Sequence, residues 1–251
     1  MNPRRVDRPL ALYGKGKLGA LAGEIFRELK IRPTYAMDKT CSFEVLPKDV
    51  LLAICVASEP YCVVTAPLIK AGWKDIVPVW EIIEAYPQIG LHNGWAVAWR
   101  DLTIKDEDQC DTVFSRLDRK SQVHYRSFMG WRTTHFEQTD MKLLKKKCLP
   151  STLEDIRKRQ RVDYFADAPM KRISIHNEGC ELKTLVENIY LFQKYRPTIE
   201  VAVYHSQDGL WKIPSFLMKN LEDYKFTFRM TAWMGQGAYL FCTPKETRRI
   251  R

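Results

Sequence analysis

The feature that most constrains this chain is a glycine loop, Gly14-Lys15-Gly16-Lys17-Leu18-Gly19, set between an apolar run and a segment of helical periodicity. Leu10 to Tyr13 has the form of a buried parallel strand that stops at a turn. From Leu18 to Leu29 the apolar residues 18, 21, 22, 25, 26 and 29 keep helical spacing, and Pro33 to Ala36 reads as a second strand running to Asp38. Strand, glycine loop, helix, strand and acid in that order is the layout of a Rossmann-type βαβ unit. In such a unit Gly14 permits the tight turn, Gly16 lets a ligand approach the backbone, and Gly19 allows helix to lie close on strand. The helix N-terminus would face a phosphate, and Asp38 stands where a ribose-binding acid is expected. Gly14, Gly16, Gly19 and Asp38 are therefore the candidate cofactor-binding residues, for NAD or another nucleotide. The plain alternative is a glycine turn that serves packing alone.

The alternation continues. Val50 to Val56 reads as a third strand, Val63 to Ala71 as a helix, and Ile76 to Val79 as a fourth strand leading into Trp80 to Tyr86. Pro87 and Gly90 punctuate the chain there, so the expected first domain is 1–90. Residues 91–150 are less regular and read as a helical linker, with one helix over Asp118 to Trp131 and a basic helix end or linker at Lys142 to Lys147. Ser151 or Thr152 is a suitable N-cap for a new helix, with Glu154 and Asp155 favouring its positive end. The expected second domain, 151–251, runs Arg172 to Ile175 (strand), Cys180 to Phe192 (helix), Thr198 to Tyr204 (strand) and Ile213 to Leu221 (helix). It closes with Tyr224 to Met230 and Ala238 to Cys242, an antiparallel pair turned by Gly235 and Gly237.

Composition narrows the function classes. Apolar residues are 45% of the chain and charged ones 28%, so a folded core rather than disorder is expected. No apolar run approaches the ~20 residues of a membrane-spanning helix, and no signal-like stretch follows Met1 to Arg8. The expected location is the cytoplasm. Seven cysteines without a Cys-x-x-Cys spacing indicate neither a disulfide framework nor a zinc site, and no metal is expected. The net charge of +10 gathers in runs that read as tails and linkers, at Arg4, Arg5 and Arg8, Lys142 to Lys147, Arg157 to Arg161, and Arg248, Arg249 and Arg251, so nucleic acid is an unlikely partner.

In the C-terminal half, Ile173-Ser174-Ile175-His176-Asn177-Glu178-Gly179-Cys180-Glu181-Leu182 is followed by Tyr195-Arg196-Pro197, Val203-Tyr204-His205-Ser206, Leu210-Trp211-Lys212-Ile213-Pro214, Asp223-Tyr224-Lys225, Arg229 and the strand Tyr239-Leu240-Phe241. These segments resemble the C-terminal half of FkbM-type methyltransferases. Residues 9 to 88 are similar to the N-terminal domain that many members carry, and Asp118 to Ser121 with Tyr125 to Arg132 to their helical joint. The resemblance implies S-adenosylmethionine as cofactor, O-methylation of a sugar hydroxyl, and the C-terminal part of a class I methyltransferase sheet. The overall expectation is thus an α/β protein with an N-terminal Rossmann-like parallel sheet and a partial methyltransferase-like sheet ending in an antiparallel pair.

Two departures from that family follow. His176 stands where the family usually has aspartate, and Ser174 where it has lysine. The three βα units that would bind adenosylmethionine should lie between Arg132 and Leu153, yet one βαβ unit alone needs ~30 residues. Cofactor binding is therefore expected to be impaired, and the strand Arg172 to Ile175 to be left as an apolar edge, covered by the N-terminal sheet or by a second copy in a homodimer. For chemistry on a small-molecule or sugar substrate the candidate catalytic residues are His176, Glu178 and His205. The blander readings are a turn-and-cap role for Glu178 and a satisfied strand-end histidine for His205. Trp211, Trp233, Tyr224 and Phe228 read as core. A non-catalytic nucleotide-binding, nucleotide-sugar-binding or assembly protein is the alternative function.

Overall fold

A computed structural model describes residues 3–41, 46–91, 103–145 and 152–245. They form two four-stranded sheets. The first holds β1 (Leu10–Tyr13), β2 (Tyr35–Met37), β3 (Leu51–Ile54) and β4 (Ile76–Pro78), all parallel, in the order β2-β1-β3-β4. β1 and β3 are buried throughout, which is why they read as unbroken apolar runs. Helix α1 (Lys17–Glu28) follows the glycine loop and sets Leu21, Ala22, Ile25 and Phe26 into the core. Helices α2 (Tyr61–Lys70) and α3 (Val79–Glu84) follow β3 and β4.

The second sheet is built from β5 (Arg172–Ile175), β6 (Thr198–Ala202), β7 (Tyr224–Met230) and β8 (Ala238–Pro244), in the order β5-β6-β8-β7. β5 and β6 are parallel, while β8 runs antiparallel to both β6 and β7. Helix α7 (Glu181–Tyr195) crosses from β5 to β6, and α8 (Gly209–Asn220) leads from β6 to β7. Trp211, Trp233, Tyr224 and Phe228 are all buried.

The β7 edge of this sheet is closed by a helix. Asp118 caps α5 (Arg119–Thr134) by accepting from the Ser121 N–H at 2.7 Å. Residues 121, 124, 125, 128, 131 and 132 of α5 are buried at helical spacing. Two of them satisfy the outward amides of the edge strand: Ser121 Oγ accepts from Phe228 N at 3.0 Å and His124 Nδ1 from Met230 N at 2.9 Å. Two of the edge strand's outward amides are thereby paired. Burial pushes His124 down to about 4, in keeping with a neutral ring that accepts at Nδ1.

Several elements differ from the sequence expectation. Helix α4 (Ile104–Ser115) stands in the stretch expected to be irregular, opened by a Thr103/Asp106 capping box. Helix α8 begins at Gly209, not Ile213, and runs through Pro214. A proline leaves the carbonyl four residues back without its amide; here that carbonyl, Leu210 O, accepts from the Tyr125 hydroxyl at 3.4 Å. β3 is trimmed to Leu51–Ile54 and β6 stops at Ala202. Thr152 caps α6 (Leu153–Arg159), accepting from Asp155 N at 3.0 Å, while Ser151 lies outside the described residues. So do Lys146 and Lys147 and the basic tail Arg248, Arg249 and Arg251.

The expected apolar edge is corrected as well. β5 is an edge strand, but it alternates, with Ile173 and Ile175 buried and Arg172 and Ser174 exposed. The first sheet does not continue it, since the two sheets are separate. Arg172 and Ser174 instead turn toward Glu200 on β6, at 3.1 and 3.4 Å.

The two sheets meet through the loop between β7 and β8. Trp233 N donates to Ala57 O at 2.9 Å, just beyond β3. The buried Glu137 carboxylate accepts from Met234 N at 2.8 Å and from Tyr61 N, at the start of α2, at 3.3 Å. Helix α6 docks on α1, with Leu153 N donating to Glu24 at 2.9 Å and Arg157 paired with Glu28. No helix among the described residues is long and apolar enough to cross a membrane.

Candidate functional site

His176, Glu178 and His205, singled out separately in the sequence, lie together at the carboxyl ends of the parallel pair β5 and β6. In open α/β sheets this is where ligands bind. His176 directly follows β5, and His205 lies three residues beyond β6. Between them the chain turns through Glu178 (φ 48°) and Gly179 (φ 105°) before α7 begins. A Cβ on Gly179 would meet only His205 O, at 3.5 Å, so the left-handed backbone rather than lack of space favours glycine there.

The loop is held by Glu181, the first residue of α7. Its carboxylate accepts from Asn177 N at 2.8 Å and Gly179 N at 2.9 Å, and lies 2.5 Å from His205 Nδ1. Asn177 in turn donates to Arg161 O at 2.8 Å and Asp163 at 2.9 Å. Facing the opposite way, His205 Nε2 lies 3.5 Å from one Glu178 oxygen and His176 Nε2 lies 3.1 Å from the other. The remaining His176 nitrogen, Nδ1, is 3.1 Å from the Tyr239 hydroxyl of β8. Tyr204 packs its ring on His205, with centroids 4.0 Å apart.

Burial opposes charge on every member, and the partners decide the outcome. Desolvation lowers His205, but the Glu181 and Glu178 carboxylates outweigh it and the net shift is upward. Desolvation raises Glu178 and Glu181, yet the attraction of His205 and the hydrogen bonds the carboxylates receive together outweigh it, and both carboxyls end below their ordinary value. His176, which gains only Glu178 as a close partner, ends lowered by burial. The side chains of Glu178 and His205 are 4% and 1% exposed and that of His176 is 18%, so solvent reaches the cluster from the His176 side.

Sequence reasoning missed Glu181 and Tyr239. Glu181 carries a local signal, an acid at the first turn of a helix, but such an acid reads as a dipole partner. Tyr239 carries none, because only the β6–β8 pairing, which sets it opposite Ala202, brings it here.

The glycine loop lies elsewhere, at the carboxyl ends of β1 and β3, where the order of the first sheet reverses. A Cβ at Gly14 (φ +116°) would stand 2.7 Å from Cys55 O, and one at Gly19 would stand 1.9 Å from Gly14 O. These two glycines are demanded by packing. Gly16 meets nothing within 4 Å. Asp38 follows β2, and Oδ1 accepts from Thr40 N and Oγ1 at 3.0 and 2.6 Å. Those bonds from Thr40 hold its carboxyl below the ordinary range. Gly14, Gly16, Gly19 and Asp38 are not part of the His176 cluster.

With this architecture in view, comparison with solved structures gives a match to the crystal structure of methyltransferase FkbM from Methylobacillus flagellatus. The TM-score is 0.55, at 12% identity, over 96% of this chain and 90% of that one. The chain has a methyltransferase-like fold. In such a fold the His176 cluster falls at the strand ends of the partial methyltransferase-like sheet, whereas the glycine loop belongs to the separate parallel sheet. No protein-family model matches the sequence, and no curated protein matches it either.

Proposed function

We propose that this chain is a diverged relative of S-adenosylmethionine-dependent sugar O-methyltransferases, impaired in adenosylmethionine binding, whose surviving site is the His176, Glu178 and His205 cluster. The observation that carries the reading is the content of residues 135–171. Between α5 and β5 the described residues contain one short helix, Leu153–Arg159, and no strand. Three βα units, at ~30 residues for each βαβ, do not fit in that interval. The substrate-facing ends of β5 and β6 are kept, and a hydroxyl-bearing small molecule is the ligand in keeping with the FkbM resemblance. Calorimetric titration with S-adenosylmethionine tests the reading: no heat is expected at high micromolar ligand, and saturable binding would overturn it.

A second reading rests on Gly16. Unlike Gly14 and Gly19, it has open space around its Cα and no left-handed φ, so packing does not require glycine there. Close approach of a ligand to the loop backbone does. Under this reading the protein is a non-catalytic binder of NAD, another nucleotide or a nucleotide-sugar, or an assembly component. Ligand-induced thermal stabilisation that disappears in Gly16→Val supports it; stabilisation of equal size in the variant refutes it.

A further inference from the structure

We infer that His176, Glu178 and His205 form a binding site for one divalent transition-metal ion, with Nε2 of each histidine and the Glu178 carboxylate as ligands. The inference stands on ligand geometry and does not depend on the reading of the adenosylmethionine half.

The three donor atoms lie within 4.8 Å of one another. The two Nε2 to carboxylate separations are 3.1 and 3.5 Å. Ligands held at ~2.1 Å from a common ion, at tetrahedral to octahedral angles, stand roughly 3.0–3.4 Å apart. Each Nε2 therefore already stands at about a ligand–ligand spacing from its own Glu178 oxygen, as for a carboxylate that uses both oxygens. Two imidazoles and one carboxylate on one side of an ion is the donor set of open, catalytic zinc and iron sites.

The groups behind the donors agree. A ligating histidine almost always engages its other ring nitrogen with a carboxylate or another polar group, which fixes tautomer and orientation. His205 gives Nδ1 to Glu181 and His176 has Nδ1 on the Tyr239 hydroxyl, so both Nε2 atoms face Glu178. Glu181 is itself fixed by two backbone amides. The open coordination positions face the His176 side, where solvent enters.

The test uses the untagged full chain, stripped with a chelator and reloaded. Zn2+, Mn2+ and anaerobic Fe2+ are titrated by calorimetry, bound metal is counted by mass spectrometry, and Co2+ serves as a visible-absorption probe of coordination. The expected result is about one ion per chain, a rise in melting temperature, and loss of both in His176→Gln with circular dichroism unchanged. Tyr239→Phe should keep the stoichiometry and weaken affinity about 10–100-fold. A folded chain that takes up no ion, or one whose uptake is the same in His176→Gln, overturns the site.

Discussion

Replacing Glu137 by glutamine probes the joint between the two sheets. Glu137 is buried, and its carboxyl receives the amides of Tyr61 and Met234, one from each side of the joint. Desolvation outweighs those amides and pushes the pKa up from 4.5 to about 8. Between those values the folded chain holds a proton that the unfolded chain has released. Stability therefore falls as pH rises through that window. At about 1.36 kcal/mol for each pKa unit the fall amounts to roughly 4 kcal/mol between pH 5 and pH 9. Glutamine has the shape of the protonated acid and cannot ionise, so Glu137→Gln should match the wild type at pH 5 and exceed it in stability at pH 9.

The assay is urea unfolding of both proteins at pH 5, 7 and 9, read as the difference between them. The difference matters because His124 titrates in the opposite sense. Its pKa falls from 6.5 to about 4, so its contribution is lost as pH drops through that range. It is common to both proteins and cancels. A difference that does not change with pH would refute the reasoning, because it would mean that the two amides hold Glu137 ionised inside the joint.

Other substitutions separate packing from function. Gly19→Ala should destabilise the first sheet by about 1–3 kcal/mol or more in chemical denaturation, because its Cβ would stand 1.9 Å from Gly14 O, whereas Gly16→Ala should be close to neutral; equal costs would remove the distinction. Glu181→Gln turns an amide group toward donors that now meet a carboxylate and should cost about 3–5 kcal/mol, and a cost below ~1 kcal/mol would show that Glu181 does not organise the loop. Ser121→Ala leaves the Phe228 amide of the β7 edge without its acceptor and should cost about 1–3 kcal/mol. An unchanged unfolding midpoint would show that α5 closes the edge by packing alone.

How far the sequence discloses this molecule depends on whether the deciding contact is local. β1 and α1 are legible because a parallel strand buried on both faces must be apolar throughout, and because Gly19 answers to the Gly14 carbonyl five residues away. Helix α8 is legible only in part. Pro214 argues for a helix start, and the correction comes from Tyr125, distant in sequence, whose hydroxyl takes the carbonyl that proline leaves free. Helix α4 turns only Cys110 and Val113 inward, so its apolar stripe is too narrow to register. Its capping box, Thr103 with Asp106, was the signal available.

The site divides in the same way. His176, Glu178 and His205 can be chosen from a sequence because their residue types carry chemistry and because the strand ends are predictable. Their roles cannot, since a histidine is defined by what each of its nitrogens meets. His176 offers a free lone pair to a substrate only if Nδ1 is unoccupied, and Tyr239 occupies it. His205 serves as a base only if one nitrogen is free, and both face carboxylates. As it stands the cluster is therefore poorly arranged for unaided general-base catalysis, in which a positioned group must accept a proton. The same occupancy that removes two candidate bases orients two candidate ligands, and that is why a histidine at position 176 bears on metal binding before it bears on methyl transfer.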